Sequence, residues 1–392
     1  MEPILIAGIA VALLFNFLNG LHDAANSIST IIATRVLTPL QAVCLAAFFN
    51  LIGPLFFTTA IAKTIGKGII VPGWLTLEVI IFGILVASFW IYFTATIGVP
   101  ISSTHAMIGG LIGTAVAYGG ISVVILPSWE IITGLAIYGV AGIITGALFM
   151  LLAAVHYQER DLRTHLLIGG FFGFILAIPF CIALHILPIS GLLGIILFII
   201  ISPSLGFVFA FFFGSLVIRI CRKQDQTLMN RIFNKLQILS ASFYSIGHGS
   251  NDAQHAMGII TAMLVTAGAL SDFTVPLWVI LLSSAAISLG TLTGGWKIVQ
   301  TMAKRITHLR PYQGFCAETG GGLVLLFVTL FGVPVSSTHA ISGCIMGVGA
   351  TQGSSAVQWG TVRQMVTAWI ITIPLTAGCA WILFHVYQFI WV

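Results

Sequence analysis

Long uncharged runs of apolar residues constrain the fold of this chain more than any other feature. Val79–Ile97 and Leu192–Val217 contain no charged side chain, and each is long enough for the ~20 residues that cross a bilayer as a helix. Charged residues form 6% of the chain, against about 25% in soluble domains. The sequence therefore predicts an all-α polytopic membrane protein. Its basic residues report topology, and nucleic acid is not an expected partner.

One heptapeptide occurs twice in the chain. Val-Pro-Ile-Ser-Ser-Thr-His at 99–105 recurs as Val-Pro-Val-Ser-Ser-Thr-His at 333–339, and neighbouring glycines match at the same offset of 234 residues. A cluster of acidic and amide residues precedes each copy, at Asn19–Asn26 and at Gly247–Gln254. Each half of the chain thus carries the same two polar motifs inside apolar sequence, which predicts an internal repeat.

These motifs divide the chain into five parts with about 12 helical segments. We predict a first repeat at 1–118, connecting spans at 119–218, a basic loop at 219–235, a second repeat at 236–350 and a C-terminal span at 351–392. As a straight helix, Pro3–Arg35 would be ~45 Å long. Its poor helix formers lie in the middle, so we expect a broken helix that lines a cavity. Leu77–Tyr118 fits either a pair of spans or a re-entrant hairpin.

Charge bias predicts how these segments cross the membrane. Arg219–Lys235 and Lys297–Arg310 hold most of the basic residues, so both are expected in the cytoplasm. The chain must then cross an even number of times between them, and two apolar segments lie there. The two halves consequently start on opposite sides of the membrane and form inverted-topology repeats, as in many secondary transporters. Both termini are predicted outside, and so are Lys63 and Lys67, which the cytoplasmic basic residues outnumber.

Two carboxylates are the strongest functional signals. Asp23 and Asp252 lie in the middle of apolar segments, and no Lys or Arg occurs within ten residues of either. A carboxylate at membrane depth is costly and by default marks a functional site; the alternative is a structural pair with a distant buried base. Amide oxygens beside them complete an oxygen-rich set that suits a hard cation or a proton. Those amides belong to Asn19, Asn26, Asn251 and Gln254.

The two Ser-Ser-Thr turns supply the opposite chemistry. Pro100 and Pro334 end an incoming helix, and the hydroxyl residues that follow are favoured N-caps of the next one. Backbone N–H groups and hydroxyls at a helix N-terminus bind an anion without a basic side chain. Two such turns brought together predict a site for a small tetrahedral oxyanion, whereas a single copy would suggest ordinary packing. The hydroxyl residues are Ser102, Ser103, Thr104, Ser336, Ser337 and Thr338.

Seven further polar residues have roles that the sequence leaves open. His105 and His339 follow the turns and either contact the anion or make structural hydrogen bonds. The histidines beside the acids are candidates for moving protons: His22, His248 and His255. Glu318 is either a third buried carboxylate for the coupling cation or an acid at the base of a hairpin, and Asn50 either lines the site or packs helices. The six cysteines occur singly, without the spacing of a metal site, and no cofactor is expected.

Together these residues resemble the inorganic phosphate transporter (Pit) family, and its bacterial branch most closely. The resemblance covers nearly the whole chain. It rests on the motifs at 19–26, 247–254 and 287–296 and on both turns. It implies a symporter of phosphate with inverted repeats, commonly a homodimer, in the bacterial inner membrane. In this family the turns form the tips of two re-entrant hairpins, and the acid–amide clusters lie on two broken helices.

The resemblance also assigns roles to residues. It implies that the six hydroxyl residues of the turns bind phosphate, and that phosphate and the coupling cation share Asp23, Asn26, Asn251 and Asp252, where Na⁺ is one candidate. Two positions depart from relatives. Asn50 stands where sodium-coupled animal members carry a glutamate, which favours protons over sodium. His255 stands where many bacterial relatives have a lysine, so the local charge depends on pH.

The predicted function is import of inorganic phosphate by symport with H⁺ or Na⁺, through alternating access about a midplane site. A carrier of sulfate, another oxyanion or a metal–phosphate complex is the alternative closest in mechanism. An intramembrane serine hydrolase would use one Ser with a His and an Asp, but catalytic triads are ordinarily single and this turn is duplicated, so an enzyme is not expected. A channel would show flux that no cation gradient drives.

Overall fold

The computed structural model describes residues 2–156, 161–187 and 191–391. Residues 1, 157–160, 188–190 and 392, which the predicted segments include, lie outside this part. The described residues form these α-helices: α1 Pro3–Ala33, α2 Pro39–Ile52, α3 Ala60–Lys67, α4 Leu77–Ile97, α5 Ser103–Gly119, α6 Trp129–His156, α7 Leu162–Ala183, α8 Gly191–Cys221, α9 Gln226–Thr266, α10 Leu277–Thr293, α11 Trp296–Lys304, α12 Pro311–Leu330, α13 Ser337–Ala350 and α14 Trp359–Trp391.

The described helices confirm the all-α polytopic class. Eight of them are long and apolar enough to cross a membrane, and nine spans result if α10 and α11, which are bent by 70° at their junction, count as one. The number of helices in the described part is 14, above the expected 12 or so. The difference includes two short helices: α3, which contains Lys63 and Lys67, and α11, which contains the first basic residues of Lys297–Arg310.

Contacts within the chain divide the molecule into two compact units. One comprises residues 126–197 and the other residues 1–125 and 198–392. In the smaller unit α6 and α7 pack through glycines, because a Cβ on Gly142 or Gly146 would strike the backbone carbonyl of Gly173 or Gly169. Such contacts between small residues let membrane helices approach closely. All the candidate site residues belong to the larger unit.

The larger unit repeats its order of helices and several contacts. Helices α1 to α5 are followed later by α9 to α13 with the same succession of long, short and hairpin-forming elements. Thr114 Oγ1 donates to the carbonyl of Val79 at 2.9 Å, which joins α5 to α4. At the same positions 234 residues on, Gln313 Nε2 donates to the carbonyl of Val348 at 3.0 Å, which joins α12 to α13. Each Ser-Ser-Thr turn therefore folds two helices back against one another.

The predicted breaks within the two acid–amide segments are wrong. Residues Pro3–Ala33 and Gln226–Thr266 are continuous helices. Asn and Asp weaken helices by competing for nearby backbone groups. Here Asp23 and Asn26 bond instead to hydroxyls of other elements, so their own helix stays intact. The chain breaks elsewhere, after α2 and between α10 and α11.

The predicted loop at 219–235 is also mostly helical. Helix α8 continues to Cys221 and α9 begins at Gln226, which leaves residues 222–225 as the connection. Asp225 causes the early start, because its carboxylate accepts a hydrogen bond from the backbone N–H of Leu228 at 2.8 Å and caps the helix.

Candidate functional site

The first serine of each turn caps a helix. Ser102 Oγ accepts from the backbone N–H of His105 at 3.2 Å, and Ser336 Oγ accepts from that of His339 at 3.3 Å. The preceding helices are followed by Gly98 and Gly332, whose φ angles of 77° and 65° favour glycine. Since the cap occupies the first hydroxyl, the second Ser and the Thr of each turn are left to make contacts outside it.

The second serine of each turn bonds to the aspartate of its own half. Ser103 Oγ donates to Asp23 Oδ2 at 3.0 Å, and Ser337 Oγ donates to Asp252 Oδ2 at the same distance of 3.0 Å. The two halves therefore build the same serine–carboxylate pair.

Contacts between the halves bring the two pairs into one cluster. Asn26 Nδ2 of α1 donates to Ser337 Oγ at 3.2 Å and to Thr338 Oγ1 at 3.0 Å, and Thr338 Oγ1 lies 3.3 Å from Asp23 Oδ1. In the other direction, His255 Nε2 of α9 lies 3.2 Å from Thr104 Oγ1. Both turns thus meet between α1 and α9.

The cluster is buried, and the basic residues beside its aspartates are histidines. Every aspartate, asparagine and hydroxyl residue named in it is at most 3% exposed. His22 Nδ1 lies 2.5 Å from Asp23 Oδ1, and His248 Nε2 lies 3.2 Å from Asp252 Oδ2. In the described residues neither aspartate is paired with a lysine or arginine. The net charge of the cluster therefore depends on imidazole and carboxyl protons alone.

Three amide oxygens of the two acid–amide motifs accept no hydrogen bond from the described residues. Asn251 Nδ2 donates to Asp252 Oδ1 at 2.7 Å and to the carbonyl of Val335 at 3.1 Å. Its Oδ1, together with Oδ1 of Asn26 and of Asn19, is buried without a hydrogen-bond partner among the described residues. Buried polar atoms are normally satisfied, so these oxygens have the chemistry of ligands for a cation.

Three side chains are also placed to hold a metal ion. One ligand atom each of Asp23, His248 and Asp252 lie within 4.8 Å of one another. Two carboxylates and an imidazole suit a divalent cation such as Zn²⁺ or Mn²⁺.

Gln254 and Asn50, two other predicted residues, have different surroundings. Gln254 joins α9 to α3, since its Oε1 accepts from the N–H of Ala62 at 3.2 Å. Asn50 contacts the cluster through His248, whose Nδ1 lies 3.2 Å from Asn50 Oδ1. Its Nδ2 donates to Thr291 Oγ1 at 2.9 Å.

Glu318 lies in a polar cluster of its own. It accepts hydrogen bonds from Thr30 Oγ1 at 2.6 Å, Ser240 Oγ at 2.5 Å and Gln237 Nε2 at 3.1 Å. Thr30 follows Asp23 by two turns of α1, a rise of ~10 Å. The structure therefore does not bring Glu318 into contact with either aspartate.

The two histidines of the turns pack together with residues that the sequence analysis did not single out. The rings of His105 and His339 are 4.9 Å apart, and that of His339 lies 3.9 Å from Trp369. Trp369 Nε1 in turn donates to the carbonyl of Pro100 at 3.2 Å. Tyr244 was also not predicted from the sequence, although it lies one turn before His248. Its hydroxyl donates to the carbonyl of Ser337 at 3.3 Å.

A buried polar site where two repeated halves of a polytopic chain meet is typical of a transporter, not of an enzyme. The chain matches the family model described as "Phosphate transporter family" over residues 19–163 and 162–380, and it belongs to that family. The resemblance inferred from the motifs is confirmed.

Relatives agree with this assignment. A "Probable low-affinity inorganic phosphate transporter" of Rhizobium meliloti (strain 1021) is 43% identical over 376 residues, which cover 96% of this chain and 94% of that one. A protein of the same description from Bacillus subtilis (strain 168) is 35% identical over 385 residues, 96% of each chain. A solved structure titled "The sodium-dependent phosphate transporter" superimposes with a TM-score of 0.69 over 99% of this chain and 100% of that one. At 23% identity it supports the fold.

Proposed function

We propose that this protein imports inorganic phosphate by symport with protons, through alternating access about the cluster of Asp23 and Asp252. The observation that carries the proposal is the convergence of two Ser-Ser-Thr turns, one from each half, on two carboxylates. Hydroxyl donors surround the place where an anion binds, and acids that take up the coupling cation lie against the same donors.

The same hydrogen bonds suggest how the two substrates are coupled. Ser103, Ser337 and Thr338 now donate to carboxylate oxygens. A proton on Asp23 or Asp252 weakens these bonds and frees the hydroxyls for phosphate, and it also removes the repulsion between carboxylate and anion. Phosphate and proton then stabilise each other's binding, and the neutralised complex is the one that reorients.

The cation that neutralises the aspartates has three candidates. Protons are favoured because each aspartate has an imidazole partner, His22 or His248. Na⁺ at Asp23, Asn26, Asn251 and Asp252 would use the unpaired amide oxygens. A divalent ion carried with phosphate as a neutral complex would use Asp23, His248 and Asp252. Glu318 is proposed as a second coupling position, separate from the phosphate site.

Carboxylates beside the donors favour phosphate over sulfate. While one of the two aspartates carries the coupling proton, the other remains a carboxylate. Phosphate retains a proton near neutral pH and can donate a hydrogen bond to that carboxylate, whereas sulfate only accepts and would be repelled. Asp23 and Asp252 are therefore proposed to select phosphate, although the hydroxyls alone fit both oxyanions.

The proposed setting is a homodimer in the bacterial inner membrane with both termini outside. The matched contacts of the two halves support a repeat, which the charge bias makes an inverted one. The two hairpins, α4–α5 and α12–α13, are proposed to be re-entrant, so that their turns meet at the midplane.

Uptake of radiolabelled phosphate into proteoliposomes tests the proposal, with proton and sodium gradients imposed separately. We expect concentrative uptake from the proton gradient alone and no competition from sulfate. Uptake that requires sodium would instead indicate a Na⁺ site at the unpaired amide oxygens. Without uptake under either gradient, addition of Mn²⁺ or Zn²⁺ tests the metal–phosphate form, and failure there as well would refute the proposal.

A further inference from the structure

One face of α9 leads from the cluster of Asp23 and Asp252 to the end of the helix. His255, Ile259, Ala262 and Thr266 follow one another at intervals of four, three and four residues, which places them on the same side. His255 contacts Thr104 in the cluster. At the other end, Ala262 and Thr266 line a cavity of about 330 Å³ that opens to the surface.

A second, narrow cavity lies between the cluster and the open one. Its volume is about 10 Å³, and it shares Gly66, Leu75 and Ala262 with the wider cavity. Four apolar side chains complete its walls: Ile65, Ile80, Leu111 and Ile259. A space of this volume is at the lower limit for one water molecule, so it is closed to a hydrated oxyanion.

On two helices, a residue that lines the narrow cavity lies one or two turns from a residue of the cluster of Asp23 and Asp252. Ile259 follows His255 by one turn of α9, a rise of ~6 Å, and Leu111 follows Thr104 by two turns of α5, a rise of ~10 Å. His255 and Thr104 are the pair that joins the halves. Along α9, Ile259 therefore lies between His255 of the cluster and the residues of the open cavity, and Leu111 adds an apolar wall from α5.

The open cavity has one charged residue in its wall. Lys67, at the end of α3, is the only Lys, Arg, Asp or Glu among its lining residues, and its ammonium lies 5.4 Å from the ring centroid of Phe273. No carboxylate of the described chain forms an ion pair with Lys67 under 4.0 Å. A single cation in a concave, otherwise uncharged wall concentrates anions there.

We propose that this cavity is the entrance for phosphate, that Lys67 attracts the anion into it, and that Ile65, Ile80, Leu111 and Ile259 form the closed gate to the binding cluster. The inference rests on the proposed phosphate transport. The charge bias of the loops places this entrance on the outer side of the membrane.

Charge variants on α3 test the role of Lys67. Lys67→Gln and Lys67→Glu are compared with Lys63→Gln and Lys63→Glu, because Lys63 is exposed one turn earlier on the same helix and does not line the cavity. Initial rates are measured in cells that lack their own phosphate carriers. We expect the KM for phosphate to rise about 3- to 10-fold for the Lys67 variants, most for Glu, with unchanged maximal rate, and this difference to shrink at high salt.

The outcome separates this inference from the proposed function. Wild-type uptake with equal KM values for the Lys67 and Lys63 variants would overturn the entrance and leave phosphate transport standing. Absence of uptake by the wild-type protein would overturn both.

Blocking the cavity tests the path itself. Ala262→Trp adds a large ring at the wall shared by both cavities, and Thr266→Trp adds one at the mouth of the open cavity. Leu239→Trp is the control, because Leu239 is 65% exposed on the same helix. We expect the first two to lower the maximal rate of uptake at least about 10-fold, while the solubilised variants bind phosphate with wild-type affinity. Wild-type uptake rates in both cavity variants would overturn the proposal.

Discussion

The two halves of the buried cluster around Asp23 and Asp252 have similar geometry but differ in the side chains beside the aspartates. Aligned on the aspartates, the first half has Asn19, His22 and Asn26 where the second has His248, Asn251 and His255. Each asparagine of one half thus corresponds to a histidine of the other. The serine–aspartate distance is nevertheless 3.0 Å in both.

This exchange separates what the repeat conserves from what it varies. The hydroxyls and carboxylates, which contact the anion and the cation in the proposed mechanism, are the same twice. The residues around them alternate between an amide, which never titrates, and an imidazole, which ordinarily titrates between pH 5 and 8. Anion binding is therefore expected to be symmetric between the halves, and the response to pH is expected to be asymmetric.

The largest expected effect is the same for both halves. Asp23→Asn and Asp252→Asn remove the group that takes up the proton while keeping its size, so each should lower proton-driven phosphate uptake at least about 100-fold. The measurement is the initial rate of uptake under an imposed pH gradient. Asp225→Asn is the matched control, because Asp225 is an exposed N-cap of α9 and Asn caps equally well. Pronounced loss in one aspartate variant with wild-type rates in the other would break the proposed equivalence.

A smaller and again symmetric effect is expected from the serines. Ser103→Ala and Ser337→Ala each remove a hydroxyl that donates to a carboxylate and, in the proposed mechanism, to phosphate. A hydrogen bond to a charged group contributes about 1.5–3 kcal/mol, so KM should rise about 10-fold or more in each variant. The check is the KM for phosphate in proteoliposomes.

The first serines provide the contrast to this prediction. Ser102→Ala and Ser336→Ala remove N-caps and should reduce stability by about 1 kcal/mol, visible as a lower Tm. Both should change the KM for phosphate less than Ser103→Ala and Ser337→Ala do. A larger KM effect at Ser102 than at Ser103 would mean that phosphate displaces the cap.

The sequence predicts that the two turns and the two aspartates lie together, and the structure brings them together. Duplicated turns and duplicated aspartates require only that two similar halves meet, and the structure joins them through Asn26 and His255. Local composition misplaced the helix breaks, because the helix propensity of Asn and Asp depends on whether distant groups occupy their side chains. The sequence could not predict the hydrogen-bond partners of Glu318 either. They belong to no motif and come together only through the packing of α1, α9 and α12; they are Thr30, Gln237 and Ser240.

The smallest expected effect distinguishes the halves. His255→Asn gives the second half the residue that the first has at Asn26, and an amide can keep the hydrogen bond to Thr104 Oγ1 that the imidazole makes at 3.2 Å. Uptake at one pH should therefore change by no more than about 3-fold, since the amide can replace that hydrogen bond. The profile of uptake rate between pH 5 and 8 should flatten, because a titrating group has been replaced by one that does not titrate. Asn26→His is the reciprocal variant and should steepen the same profile. If His255→Asn leaves the pH profile unchanged, the exchange of Asn26 for His255 has no part in the pH response, and His22 and His248 at the two aspartates are the next imidazoles to replace.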